Sequence, residues 1–104
     1  MRALMAAALC LLFAAPVSAD TVTIIGIGND SCATAFLPNN VYQTKAWIFG
    51  FWSARNSEKG ANVGSTTDSN GIIGEVESTC RKFPSYHLIV AVGFVYDMME
   101  ADNR

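Results

Sequence analysis

Two cysteines do most to limit what this chain can fold into. Cys32 and Cys80 are the pair that remains once an N-terminal leader, which holds the third cysteine, Cys10, is set aside. The leader is read over residues 1–19: a positive charge at Arg2, an apolar run from Ala3 to Ala15, the helix breaker Pro16, and small residues at Ser18 and Ala19 before Asp20. That is the pattern of a secretory signal peptide cleaved after Ala19, and its apolar run is shorter than the roughly 20 residues that span a bilayer. Leu9 is bulky where a lipoprotein cleavage site needs a small residue, so Cys10 is not expected to be lipidated. An even pair of cysteines in an exported chain is expected to oxidise, which joins Cys32 to Cys80. Redox-pair and metal-site readings lack a C-x-x-C spacing and accompanying histidine ligands.

A staple matters here because the mature part is short. Residues 20–104 have room for a single domain, and a domain of that size buries only about 60% of the surface its unfolded chain exposes. Its six Lys and Arg stand against nine Asp and Glu, so the surface is mildly acidic. Without a basic stripe to neutralise phosphates, nucleic acid is not an expected partner.

Periodicity divides this domain into helices. Residues 20–30 read as an extended arm or short strand, and its Gly26-x-Gly28 lacks the third glycine and the context of a phosphate-binding loop. A short helix is expected from Ser31 to Leu37, capped by Asn29 or Asp30 and ended by Pro38. Val41 to Asn56 forms the clearest helix, with Val41, Thr44, Ile48, Phe51 and Trp52 on one face. Ala46, Gly50 and Ala54 on its other side predict close approach of a second helix, and hence a central position. Lys45 and Arg55 bracket too few residues for this helix to cross a membrane, so no stable insertion is expected once the leader is gone.

Residues 57–69 are polar and hold two glycines, so they read as an exposed loop. Thr67 or Asp68 caps the next helix, whose apolar stripe is Ile72, Ile73, Val76, Cys80 and Phe83, with a Glu77–Arg81 pair off that stripe. Pro84 ends it and Ser85 caps a last helix to about Glu100. The segment 88–96 is β-branched enough to be a buried strand instead, but the Pro-Ser start signal and the lack of a partner strand favour helix.

Chemistry finds little support in these residues. His87 is the only histidine, no nucleophile and base can be assembled around it, and the carboxylates are scattered. No catalytic, cofactor or metal site is expected. The aromatic residues of the central helix exceed what one buried face can cover, so some apolar surface is left for a protein partner. The candidate partner-binding residues are Trp47, Phe49 and Trp52 on that helix, with Glu58, Lys59 and Asn62 in the polar loop.

Cys32 at a helix start, Lys45-Ala-Trp-Ile-Phe-Gly-Phe51 in a central helix, and Ile72 to Cys80 followed by Arg81-Lys-Phe-Pro84 and an apolar last helix together resemble HdeA-type periplasmic proteins. The same layout is similar to the secreted type VI immunity proteins of one-disulfide helical architecture. The resemblance implies an all-α, four-helix bundle with a Cys32–Cys80 disulfide and no enzymatic activity. It also implies a periplasmic or secreted protein that binds other proteins: an acid-stress chaperone that is a homodimer at neutral pH, or an inhibitor of a cell-wall-degrading effector.

Overall fold

Four α-helices and one 3₁₀ turn make up the regular structure of residues 21–104, the part of the chain that the computed structural model describes. The leader read over residues 1–19, with Cys10, lies outside the described residues. The helices are α1 (Cys32–Ala35), α2 (Val41–Lys59), α3 (Ser69–Lys82) and α4 (Leu88–Ala101). No β-strand occurs among the described residues. The architecture is the expected all-α one, and the alternative of a strand at 88–96 is resolved as helix.

The arm departs from its expected form. It is extended only as far as Ile25 and then winds into a 3₁₀ turn, Gly26–Asn29, because two glycines let it fold down onto α2. Gly26 takes a φ of 81°, and a side chain at Gly28 would sit inside the ring of Trp47. The glycine pair therefore seats a tryptophan. Trp47 completes the contact by donating from Nε1 to the Ile25 carbonyl at 3.0 Å.

Helix α1 is capped by Ser31, whose Oγ accepts from the Thr34 amide, and not by Asn29 or Asp30. It is a single turn because Pro38 follows closely. Cys32 is thereby brought within a Cα–Cα distance of 5.1 Å of Cys80, and the expected disulfide joins them. An isolated antiparallel bridge between Ser31 and His87 lies beside it. Cys32 donates to the Tyr86 carbonyl at 2.7 Å, and Leu88 donates to that of Asp30 at 2.8 Å.

Helix α2 runs three residues past its expected end, to a left-handed Gly60 cap, so Glu58 and Lys59 belong to a helix and not to a loop. Its inner face buries Thr44, Ile48 and Trp52, with Val41 and Phe51 half-buried beside them. Thr44 is buried without penalty because its hydroxyl donates to the Ala35 carbonyl at 2.6 Å. The expected central position of α2 is not found. Ala46, Gly50 and Ala54 all face solvent, and nothing lies near the place a side chain at Gly50 would occupy. Small residues permit a close approach, but only an apolar partner supplies the reason for one, and the buried apolar faces of α3 and α4 are spent on each other and on the inner face of α2.

Asp68 caps α3 by accepting from the Gly71 amide at 2.9 Å. Ile72, Ile73, Val76 and Cys80 are buried as their stripe predicts, whereas Phe83, at the helix end, is 42% exposed. The Glu77–Arg81 pair forms at 3.4 Å. A tight turn at Phe83–Tyr86 then reverses the chain, so α3 and α4 make a helical hairpin. His87, rather than Ser85, is the N-cap residue of α4, and it makes no side-chain cap bond. The inner face of α4, from Leu88 through Val92 and Tyr96 to Met99, is the most deeply buried part of the described chain.

Candidate functional site: an apolar groove on the helical hairpin

The turn that closes the hairpin also builds a groove. Tyr86 donates its amide to the Phe83 carbonyl at 3.1 Å, and this tight closure stacks the two rings with centroids 4.8 Å apart. Val90 and Phe94, one helical turn apart on α4, stand opposite them. The resulting groove encloses about 220 Å³ and is lined by Thr79, Phe83, Tyr86, Val90, Ala91 and Phe94. Val90 is 52% exposed and Phe94 57%, values at which a large apolar side chain retains much of its wettable area. Thr79, the most polar of the lining side chains, turns its hydroxyl back to the Glu75 carbonyl at 3.1 Å. Such a lining selects for apolar surface and offers little beyond the Tyr86 hydroxyl to orient a polar substrate.

A larger, open cleft of about 540 Å³ lies at the other end of the molecule, between Trp52, Ile72 and the loop 61–68. This loop is more ordered than its polar composition suggests. Asn56 grips it from α2, donating from Nδ2 to the Val63 carbonyl at 3.0 Å and accepting from the Val63 amide at 3.2 Å. Trp52 Nε1 donates to the same carbonyl at 2.8 Å. Gly64, with a φ of 95°, packs against Trp52 and Ile72 and donates to the Arg104 carbonyl at 3.0 Å. Tyr96 anchors the clamp from below, its hydroxyl donating to Asn56 Oδ1 at 2.8 Å. Burial pushes the phenol of Tyr96 above its usual range; Lys59 and Arg55, whose cations lie over its ring, oppose that shift in part.

The six residues singled out from sequence do not gather into one site. Trp52 is only 4% exposed and belongs to the core and the loop clamp, so it shows no more than an edge to the cleft. Trp47 is half-buried, stacked on Phe51 at 5.7 Å and held by the arm. Phe49 is half-buried against the core. Glu58 and Lys59 lie on the last turn of α2, about 18 Å along the helix from Trp47 at 1.5 Å per residue. Lys59 pairs with Glu100 at 2.7 Å. Asn62 is exposed in the clamped loop and lines the cleft there.

Sequence reasoning missed the groove because residues 88–96 of α4 are apolar on every side. A uniformly apolar segment announces burial without showing which side stays wet. One available signal was the pair Phe83 and Tyr86 flanking Pro84, since aromatic residues in a tight turn have little core to reach. Compared with family models, curated proteins and solved structures, the chain finds no match. The reading of its function therefore rests on geometry.

That geometry is poor in reactive groups. Both cysteines among the described residues are consumed by the disulfide, and His87 directs Nδ1 to the Asn29 carbonyl. Among the described residues, no three His, Cys, Asp or Glu side chains lie close enough to hold a metal ion. No described helix is long and apolar enough to cross a membrane.

Proposed function

We propose that this chain is a small exported protein-binding protein of HdeA-like fold, without enzymatic activity, that serves envelope stress, including acid stress, as a chaperone. The groove on the α3–α4 hairpin carries the reading: a stapled domain leaves Phe83, Tyr86, Val90 and Phe94 exposed together. Each is already about half covered, so burying the remainder yields about 1 kcal/mol per side chain, against about 1.5–3 kcal/mol for complete burial. Four such gains amount to about 4 kcal/mol from this side of a contact, much of which is offset by the freedom lost on association, so the contact is weak. Weak, undirected apolar contact suits transient holding of unfolded clients better than tight selection of one target.

Acid would act on this domain through net charge. The observed ion pairs all involve side chains at least a third exposed, so losing each costs at most about 1 kcal/mol. Protonating nine carboxylates, by contrast, leaves a strongly positive domain whose self-repulsion favours opening. The test is suppression of aggregation of several unrelated clients, at neutral and acid pH, by the wild-type protein and by Phe94→Ser. Protection of many clients that weakens in the variant supports the chaperone reading; protection of none removes it.

The clamped loop favours a second reading, an immunity-type inhibitor of a secreted cell-wall-degrading effector. A loop held by Asn56, Trp52 and Arg104 is preorganised, which lowers the entropy cost of inserting it into an enzyme cleft. Tight binding to a single hydrolase, lost in Asn62→Arg and retained in Phe94→Ser, would favour this reading over the first.

A further inference from the structure

We propose that Asn70–Gly71, in the first turn of α3, is a site of spontaneous deamidation that the Asp68 cap holds in check. Asparagine is one of the labile residues, and how labile it is depends on the residue that follows. The backbone nitrogen of that residue must reach the asparagine side-chain carbon, and glycine, with no Cβ and the widest choice of backbone angles, obstructs the approach least. Asn70 is the one asparagine of this chain that a glycine follows. It is exposed, so water reaches it. Packing fixes the glycine in turn: Thr67 occupies the place that a side chain at Gly71 would take. A larger residue there would spare Asn70 only by displacing the turn that leads into the helix.

The cap restrains this reaction through two bonds. The nucleophile is the Gly71 nitrogen, and its proton is donated to Asp68 Oδ1 at 2.9 Å. The next amide, that of Ile72, donates to the Asp68 carbonyl at 3.1 Å, which holds the residues between in a helical turn. Ring closure needs ψ at Asn70 to leave the helical range, so the reaction waits for the first turn to open locally. The Gly71 nitrogen then bonds to Asn70 Cγ, and its proton departs with the side-chain nitrogen as ammonia. Water opens the cyclic imide that results. Attack at Cγ gives aspartate, whereas attack at the main-chain carbonyl carbon gives isoaspartate, whose backbone runs through Cβ and Cγ and is longer by one methylene. Either product sets a new negative charge close to Asp68. The longer backbone cannot keep both Asp68 bonds, which loosens the wall of the open cleft that Asp68, Ser69 and Ile72 form. The change consumes only water and runs one way, so Asn70 records the time the domain has spent in solution. Asn70 lies about 20 Å along α3 from Phe83 at 1.5 Å per residue, so the site is independent of the hairpin groove and of any client.

The test is incubation of the disulfide-bonded protein at one mildly alkaline pH, with peptide mapping by mass spectrometry to place the aspartate and isoaspartate formed. Product is expected at Asn70 before any other asparagine, and Asn70→Gln is expected to remove it. The same chain unfolded in guanidinium chloride is expected to react at Asn70 at least about tenfold faster than the folded protein, because no turn has to open first. Asp68→Ala, checked to be helical by circular dichroism, is expected to react about fivefold faster than wild type, the factor by which loss of a typical cap raises the opened fraction. Asp68→Ser keeps a capping oxygen and is expected to stay within about twofold of wild type. Modification that begins at another asparagine overturns the proposal. So does a folded protein that reacts as fast as the unfolded chain, and so does an Asp68→Ala variant no faster than wild type.

Discussion

Replacing Asn56 with alanine tests whether the loop clamp stabilises the fold or merely decorates it. The side chain makes three hydrogen bonds, two to the Val63 backbone and one from the Tyr96 hydroxyl. Their loss is unequal in consequence. The Val63 carbonyl keeps its bond from Trp52, so it is not orphaned. The Val63 amide and the buried Tyr96 hydroxyl lose their partner, and each stranded buried group costs about 1–3 kcal/mol. Partial access of water to the loop lowers the sum, which gives an expected loss of about 2–4 kcal/mol. For a domain of this size that corresponds to a fall in Tm of at least about 8 °C. Urea unfolding followed by tryptophan fluorescence measures it directly, because Trp52 reports on the same clamp. Tyr96→Phe should then cost less in the Asn56→Ala background than in wild type, since the hydroxyl it removes is already stranded. A loss below about 0.5 kcal/mol, or strict additivity of the two substitutions, would refute the reasoning.

Three further outcomes follow from described features. The phenol of Tyr96 is raised above 10.0, so its contribution is fully present below pH 10.0 and is lost as pH rises through the folded value. Unfolding free energy measured against alkaline pH should fall more steeply in wild type than in Tyr96→Phe, and identical slopes would contradict the assignment. The disulfide spans 48 residues, for which the chain-entropy account gives about 4 kcal/mol. Cys32→Ala/Cys80→Ala should lose most of this in denaturant titration, and an unchanged midpoint would show that the staple stabilises nothing. Gly28→Ala should destabilise by about 1–3 kcal/mol because the added methyl collides with Trp47, whereas Gly50→Ala, in open space on a helix, should stabilise by about 0.5–1 kcal/mol. Equal melting shifts for the two glycine variants would show that the ring does not sit where it is described.

The readable parts of this fold were those set by local rules. Apolar periodicity places Ile72, Ile73, Val76 and Cys80 on one face of α3, and Asp68 precedes that run at the right position to cap it. The cysteine pair is forced by number. What could not be read depends on contacts between distant segments. Glu58 and Lys59 look like loop residues until Gly60 is seen to cap the helix beyond them. The loop 61–68 looks mobile until Asn56, a helix residue with no local signature, is found holding it. The stripe Ala46–Gly50–Ala54 was misread because small size permits packing without causing it. The groove escaped notice for the opposite reason: Val90 and Phe94 lie among so many buried apolar neighbours that composition hides their exposure.

The bridge between Ser31 and His87, together with the disulfide beside it, sets a timetable for the molecule's making. Synthesis delivers Cys32 first and Cys80 only 48 residues later, an interval of roughly 2–10 s at the usual rate of elongation. Throughout that interval α2 has only the 3₁₀ turn of the arm to pack against, because the rest of its buried face meets α3 and α4. The first half of the domain therefore waits as an unpaired thiol and an uncovered row of Ile48, Phe51 and Trp52, vulnerable to wrong partners. The hairpin, by contrast, has its two halves joined by a short turn and can close as soon as it is made. The hairpin's contacts are local in sequence, so they are favoured to form ahead of the long-range ones that join it to the first-made half.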